Sequence, residues 1–286
     1  MTKELSFATA YDHQTSPAGT MTLMTAAGYS RADIHMHTNL GDGWASPAQV
    51  IKEARRRGLR LIAITDHDHL EGAWRVAELL AREQALGLNG DGQEAATPLD
   101  LVIGVEVTTR DGHLLGLFVE KAPRAQRPAE EAIDEIKAQG GLVVVPHPFG
   151  RLVPSLSRVR IEELLSKGYC IDALEMYNPS PANASQRHMV RLANQEWQLA
   201  EVGGSDAHFW QHIGVAYTLF PGQSAEELRQ AIRLRQATPG GQEVPTPRLP
   251  LGVYVAQCAW SWLVDPPRRA WRARRNHQNH RGVVVR

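Results

Sequence analysis

Histidine and carboxylate side chains recur along the chain at the ends of short apolar segments. They are Asp33, His35, His37, Asp42, Asp66, His67, Glu106, His113, His147, Asp206 and His208. Imidazole and carboxylate groups together suit divalent ions such as Zn, Mn and Fe, and this set contains no thiolate. The residue types therefore indicate a site for divalent metal ions.

The clearest local pattern is the pair His35 and His37 in the segment ADIHMH. Side chains two residues apart on a strand point to the same side, so both imidazoles can hold one ion. Glu106 lies in the apolar segment IGVEV, where a buried carboxylate needs a partner, and it can bridge two ions. Two ions about 3.5–4 Å apart lower the pKa of a bridging water and neutralise charge on phosphoryl oxygens. The set therefore favours hydrolysis of a phosphate ester.

Each motif taken alone has a simpler explanation. TDHDH can be a surface turn with helix-capping aspartates, and Asp206 after GGS can be a helix N-cap. His113 can be a packed core histidine, and His147 between two prolines can be a turn residue. Chance does not readily explain so many residues of ligand type at successive strand ends. Together they therefore favour the metal site.

The elements that must position these residues alternate between strands and helices. ADIHMH, LRLIAIT and LVVVPHP are typical of strands, and LDLVIGVEVTT with DGHLLGLFV predicts a hairpin through an Asp-Gly turn. Ser46 and Pro47 predict the start of one helix, and Ser224 with Glu227 predicts a capping box for another. Repeated β-then-α units predict a mainly parallel sheet, open or closed into a barrel, whose C-terminal strand ends converge on one rim.

The chain length fits one α/β domain with less regular flanks. Its 286 residues are 43% hydrophobic and 22% charged, which allows a large buried core. We predict a loosely ordered leader at residues 1–30, the catalytic domain at 31–237, and a Pro/Gly linker with an aromatic and basic tail at 238–286. The tail composition is typical of a peripheral membrane segment or a nucleic-acid-binding arm. We favour packing onto the barrel or across a dimer interface.

Charge and cysteine usage bear on partners and compartment. Thirty-one Lys and Arg residues balance thirty-one Asp and Glu residues, so no overall field attracts nucleic acid or anionic membrane. Cys170 and Cys258 are far apart and show neither metal nor disulfide spacing. No signal-peptide pattern or membrane-spanning run is visible in the sequence, so we expect a cytoplasmic location with no obligate protein partner.

Six motifs occur in the order shown by the PHP (polymerase and histidinol phosphatase) superfamily, and from about Arg31 to Phe220 the chain resembles its free-standing phosphoesterase branch. They are DIHMHTNLGDG, LIAITDHD, IGVEV, GHLLGLF, VPHP and GGSDAH. The resemblance implies an α/β fold, a distorted (β/α)7 TIM-like barrel with a trinuclear metal site at the C-terminal strand ends.

The resemblance also implies ligands for each ion. The first ion would be held by His35, His37, Glu106 and Asp206, the second by Glu106, His113 and His147, and the third by Asp42, His67 and His208. Some members have a histidine where this chain has Asp42, and both side chains are reasonable ligands. Asp33 and Asp66 would orient metal-bound histidines from behind.

The predicted activity is hydrolysis by a metal-bound hydroxide, with two or three Zn, Mn or Fe ions as cofactors. We expect a small nucleotide-like substrate of the nucleoside 3′,5′-bisphosphate type. The alternatives are a 5′–3′ exonuclease on short oligonucleotides, a histidinol-phosphate phosphatase, and a non-catalytic metal-binding scaffold. Strand-length requirement and steep salt dependence would favour the exonuclease.

A phosphorylated substrate needs cationic partners near the rim. Arg151, on the loop after His147, and Arg187, on the helix after EMYNPS, are the predicted substrate-binding residues, although either can be a solvated surface charge. Asp206, His208 and Arg151 are predicted to act in catalysis. The segment EMYN, which contains Glu175 and Asn178, can line the same pocket.

Overall fold

A nine-stranded sheet runs through the residues described by the computed structural model, which are 28–87, 98–179, 185–241 and 248–269. Its strands are β1 (Tyr29–Asp33), β2 (Leu61–Ile64), β3 (Asp100–Thr108), β4 (His113–Leu117), β5 (Leu142–Val145), β6 (Ala173–Tyr177), β7 (Ala200–Gly203), β8 (Ala216–Pro221) and β9 (Thr238–Gly241). Their order across the sheet is β7-β6-β5-β4-β3-β2-β1-β8-β9. Most of the predicted leader and the end of the predicted tail lie outside the described residues.

The sheet is nearly closed into a barrel. β1, β2 and β3 pair in parallel, as do β5, β6 and β7, while β4 is antiparallel to both of its neighbours. The Thr218 hydroxyl on β8 donates to the Gly203 carbonyl of β7 at 2.8 Å and accepts from its amide at 3.0 Å. The predicted α/β barrel is confirmed. It has nine strands in the described residues rather than seven: six form the two parallel sets, and β4, β8 and β9 join through antiparallel pairs.

Helices cover the outside of this sheet. They are α1 (Pro47–Arg56), α2 (Glu71–Ala85), α3 (Ala129–Ala138), α4 (Arg158–Ser166), α5 (Arg187–Trp197), α6 (Ala225–Arg233) and α7 (Leu251–Ala259). α1 begins as predicted, with a capping box between Ser46 and Gln49 and with Pro47 in the first turn. The predicted capping box of Ser224 and Glu227 begins α6.

The strands between barrel interior and helices are buried on both faces. Leu61 and Ala63 of β2 pack in the interior, whereas Ile62 and Ile64 pack against the apolar sides of α1 and α2. Such two-sided burial explains why the strand segments are continuously apolar and not alternating.

Two stretches of the predicted tail, 238–241 and 248–269, lie within the described residues. Residues Thr238–Gly241, predicted as linker, form β9 and pair with β8, so the sheet extends past residue 237. Proline has no backbone N–H to donate to a neighbouring strand, and an edge strand such as β9 tolerates this at Pro239. α7 continues through a π-helical turn, Trp260–Val264, into helical residues 265–269. In the described ranges, no helix combines the length and apolar character needed to cross a membrane.

Candidate metal centre

The chain beyond β1 stays extended and carries two imidazoles into one site. The His37 amide donates to the Ala207 carbonyl at 3.0 Å, and the Asp206 amide donates to the His35 carbonyl at 2.8 Å. This pairing joins the segment after β1 to the segment after β7. Because side chains alternate along it, His35 and His37 face the site while Met36 lies in the core. The two histidines therefore lie on one side, as their spacing predicts.

Glu106 near the end of β3 is the central residue of the site. Its carboxylate is buried among five imidazoles, those of His35, His37, His67, His113 and His147. Oε2 lies 3.3 Å from Nε2 of His35 and 3.2 Å from Nε2 of His37. Oε1 lies 2.7 Å from Nδ1 of His113 and 3.1 Å from Nε2 of His147. A carboxylate whose two oxygens face different sets of imidazoles has the geometry of a bridging ligand.

Three groups of side chains place one donor atom each within 4.8 Å of one another. They are His35, His37, Glu106 and Asp206; His37, Asp42, His67 and His208; and His67, Glu106 and His113. The first group equals the set implied for the first ion. In the others, His37 joins the set implied for the third ion, and His67 stands where His147 was expected.

All nine residues implied as ligands meet in this one site, and three of them, His37, His67 and Glu106, belong to two groups each. A neutral imidazole offers one lone pair to a metal, so His37 and His67 can each serve a single ion. Glu106, with two oxygens, can serve two. His147 lies outside these three groups, and its Nε2 approaches Oε1 of Glu106 at 3.1 Å.

The electrostatics of the site fit a metal-binding set. Burial alone would raise the pKa of Glu106, Asp42 and Asp206, but the surrounding histidines hold each pKa well below its ordinary range. Burial alone would lower the pKa of His35, but Asp206, Glu175 and Glu106 hold it well above its ordinary value. Ionised carboxylates are therefore concentrated where cations would bind.

Several buried nitrogen and oxygen atoms in the site that could bind a metal ion lack hydrogen bonds among the described residues. They are both ring nitrogens of His37, Oδ1 of Asp42, Nδ1 of His67 and Nδ1 of His113. Buried polar atoms are nearly always hydrogen-bonded, so a cluster of exceptions needs a cause. These atoms belong to imidazoles and carboxylates, and they point at one another without hydrogen-bond geometry. This arrangement fits the coordination of divalent ions.

Asp33 and Asp66 support the site by holding loop backbone. Asp33 accepts hydrogen bonds from the amides of Ser205 at 3.0 Å and Gly214 at 2.8 Å. Asp66 accepts from the Thr38 amide at 2.6 Å and its hydroxyl at 2.7 Å. Both carboxylates thus hold the segments that carry candidate ligands, and the orientation of imidazole rings by them stays a prediction. Burial raises the pKa of each carboxyl to about 6.

The group that supports an imidazole is Glu175, which the sequence indicated only as a pocket-lining residue. Its Oε1 lies 3.0 Å from Nδ1 of His35, and its Oε2 accepts from the His147 amide at 2.8 Å. Ser155, which sequence reasoning missed, places its hydroxyl 2.8 Å from Nδ1 of His147. Glu175 was detectable, since an acidic residue in the apolar segment DALEMY needs a partner just as Glu106 does.

The two arginines predicted to bind phosphate lie outside the cluster. Arg151 is exposed on the loop between β5 and α4. Arg187 begins α5 with its guanidinium carbon 4.2 Å from the ring centroid of Tyr177, at the end of β6. Within the described residues, no hydrogen bond or ion pair joins either arginine to the nine clustered side chains.

The fold and the site define a β/α-barrel protein with a buried histidine and carboxylate centre for metal ions, and comparisons agree. A family model described as PHP-associated matches residues 186–237. An uncharacterized protein of Methanocaldococcus jannaschii is 32% identical over 160 residues, which cover 52% of this chain and 81% of that protein. The chain belongs to the PHP family, a family of phosphoesterases.

More distant similarities extend this result. A 3′,5′-nucleoside bisphosphate phosphatase of Chromobacterium violaceum is 27% identical over 163 residues, 56% of this chain but only 47% of that enzyme. A crystal structure from Bacteroides vulgatus, of a two-domain protein containing a predicted PHP-like metal-dependent phosphoesterase, superposes with a TM-score of 0.62 at 20% identity. It covers 81% of this chain and 71% of that one, and it shows the shared fold.

Proposed function

We propose that this protein hydrolyses a phosphate ester of a small nucleotide-like substrate, of the nucleoside 3′,5′-bisphosphate type. The observation that carries the proposal is the position of Glu106, whose two oxygens face separate groups of imidazoles at 2.7–3.5 Å. When bound, two or three divalent ions would activate water and neutralise charge on the phosphoryl group. The name of the Chromobacterium violaceum relative supports this substrate class.

The substrate would approach from the side of Asp206 and His208. Their side chains are 14% and 22% exposed, whereas those of His35 and His37 are fully buried. Asp206 is held in the left-handed region at φ 50°, a conformation that costs about 1–3 kcal/mol in a residue other than glycine. Strain retained at this position supports the assignment of Asp206 and His208 to the reacting side of the site.

Trp44 is our candidate for contact with the nucleobase. Its amide donates to the His208 carbonyl at 2.7 Å, and its ring meets Phe209 edge to face at a centroid distance of 5.4 Å. The side chain is nevertheless about half exposed. An anchored and exposed indole beside a phosphate site can stack on a base, which is worth about 1–3 kcal/mol.

Arg151 and Arg187 remain our candidates for binding a second phosphate. Arg187 is the better placed of the two, because its stacking on Tyr177 fixes the guanidinium and its Nε atom is buried without a hydrogen bond among the described residues. A guanidinium that is already ordered loses little entropy when it binds phosphate. Arg151 would contribute only if its loop turned toward the site.

The experiment measures phosphate release by metal-analysed protein. Substrates are a nucleoside 3′,5′-bisphosphate, histidinol phosphate, glycerol phosphate and short 5′-phosphorylated oligonucleotides. We expect the bisphosphate to be preferred, Asp206→Asn and His208→Ala to abolish turnover, and Arg187→Ala to raise KM. His188→Ala, at an exposed position on α5, is the matched control. Metal-loaded protein that hydrolyses none of these esters would refute the proposal, and preference for longer strands would assign the protein to exonucleases.

A further inference from the structure

The helix that follows β9 is amphipathic in the reverse of the usual sense. Gln257 and Asp265 are buried, whereas Leu251, Trp262 and Leu263 are each more than 60% exposed. A surface helix normally buries its apolar stripe and exposes its polar one. Apolar burial therefore does not explain why this helix lies where it does, and the polar contacts on its inner side must.

Those polar contacts lead to one of the candidate metal ligands. The Ser261 hydroxyl donates to Oδ2 of Asp42 at 2.6 Å. The side-chain amide of Gln257 donates to the Ser261 hydroxyl at 2.8 Å and to the Asp42 carbonyl at 3.0 Å. Because the Ser261 oxygen already accepts from Gln257, its own hydrogen is directed to the Asp42 carboxylate.

These contacts leave the other oxygen of the carboxylate facing the metal group. Oδ1 of Asp42 lies 3.3 Å from Nδ1 of His37 and has no hydrogen bond among the described residues. Oδ2, which Ser261 holds, also lies 3.1 Å from Nε2 of His208. The serine thus fixes the carboxylate in the orientation that places it between two imidazoles.

The helix is fixed on both sides of this contact. Tyr254 packs edge to face on Phe209 with ring centroids 5.8 Å apart, beside the site. At the other end, Arg269 donates to Asp68 at 2.6 Å and to the Thr108 hydroxyl at 3.0 Å, which joins it to the loop after β2 and to the end of β3. The inward positions of the helix recur every three or four residues, at Tyr254, Gln257, Ser261, Asp265 and Arg269.

We propose that Ser261 and Gln257 are positioning residues of the metal centre, which orient Asp42 so that the ion shared with His37, His67 and His208 binds tightly. The assignment rests on the proposed function, since it deepens the description of the same site. A partner that orients a ligand typically improves metal affinity by about 10- to 100-fold. Docking of the C-terminal helix and binding of this ion are then coupled.

The test uses the full-length protein and four variants. Ser261→Ala removes the hydroxyl and Gln257→Leu removes the amide, Ser261→Thr keeps the hydroxyl, and Leu263→Ala changes the exposed face of the same helix. Each protein is stripped with chelator and titrated calorimetrically with Mn²⁺, and bound ions are counted by elemental analysis. We expect Ser261→Ala to bind one of its ions about 10- to 100-fold less tightly and Gln257→Leu to change the affinity in the same direction. Ser261→Thr and Leu263→Ala should match the wild type.

Equal Mn²⁺ affinity in Ser261→Ala and wild type overturns the proposal. Hydrogen exchange of residues 251–264 shows whether the helix stays docked in each variant. If Ser261→Ala loosens the helix, the double variant Asp42→Asn/Ser261→Ala is compared with Asp42→Asn. The proposal requires that the double variant lose no more Mn²⁺ affinity than Asp42→Asn alone, because Ser261 is proposed to act through Asp42. Phosphate release is recorded in parallel. If Ser261→Ala loses the ion but the wild type hydrolyses no ester, the proposed function is rejected while this inference is supported.

Discussion

Nδ1 of His35 lies 3.0 Å from Oε1 of Glu175, and both side chains are fully buried. The other carboxylate oxygen accepts from the backbone amide of His147 at 2.8 Å and from the side-chain amide of Asn178 at 2.9 Å. Glu175 thus joins the segment after β1 to the segment after β5 and directs Nε2 of His35 toward Glu106. A carboxylate behind a metal-bound imidazole fixes its tautomer and increases its basicity.

Replacing Glu175 with glutamine should weaken metal binding while the fold is kept. Both oxygens of the native carboxylate accept hydrogen bonds, so an amide must point its NH₂ group at one of those donors. We expect Glu175→Gln to lower Mn²⁺ affinity by about 10- to 100-fold. Calorimetric titration after chelator treatment measures it, with Glu196→Gln at a position that is 70% exposed as the control. Unchanged affinity would show that Glu175 only fills space.

The second glycine of GGSDAH is required by the same carboxylate. A Cβ atom at Gly204 would overlap Oε1 of Glu175 and lie 2.6 Å from Cβ of His35. We expect Gly204→Ala to destabilise the fold by about 1–3 kcal/mol and to reduce bound metal, because both buried side chains must move. Chemical unfolding and elemental analysis measure these effects. Gly252→Ala, where a Cβ would meet nothing within 4 Å, should leave both unchanged.

Placement of the candidate ligands was largely predictable because most of them lie at or just after the ends of apolar strands in a repeated β-then-α pattern. Glu106 was predictable in another way, since a buried carboxylate within β3 needs a partner, and five imidazoles surround it. Strand direction was not predictable at β8, because an apolar segment such as GVAYTLF suits either direction. The backbone hydrogen bonds of Asp33 and Asp66 were not predictable either, because sequence cannot distinguish a carboxylate that holds backbone from one that holds an imidazole.

The composition of the C-terminal segment favours packing onto the barrel, but it does not predict which face of the helix turns inward. Its apolar residues suggested burial, yet Trp262 and Leu263 are exposed, and Gln257 is buried against Asp42. Only the position of the helix relative to the site determines which face turns inward. Long-range contacts of this kind have no local signature in a single sequence.

The ion pairs of Glu53 should make stability depend on pH. Burial would raise the pKa of Glu53, but hydrogen bonds from Arg56 and Arg57 lower it below the ordinary value of 4.5. Arg57 also donates to the Gln211 carbonyl at 2.7 Å, so these contacts fix the segment that follows His208. A lowered pKa means that Glu53 stabilises the fold above its unfolded pKa and ceases to do so as pH falls through its folded pKa.

We therefore expect Glu53→Gln to lower the free energy of unfolding by about 1–2 kcal/mol near pH 7, with a smaller difference near pH 3. Urea unfolding of metal-free wild type and variant at both pH values measures the change. Glu78→Gln, which removes an exposed pair with Arg75, should have little effect at either pH. A difference that is independent of pH would contradict the electrostatic explanation.

Substitution of Trp44 should affect nucleotide esters selectively. The indole is anchored beside His208 by its own amide and by Phe209, yet it is about half exposed, so it can stack on a base without rearrangement. We expect Trp44→Ala to raise KM for a nucleoside bisphosphate by about 5- to 150-fold, corresponding to about 1–3 kcal/mol of stacking, with kcat little changed. Steady-state kinetics measures this beside glycerol phosphate, which has no ring and should be unaffected. Trp262→Ala, on the exposed face of the C-terminal helix, is the control. An equal rise in KM for both substrates would assign Trp44 to the shape of the site and not to base recognition.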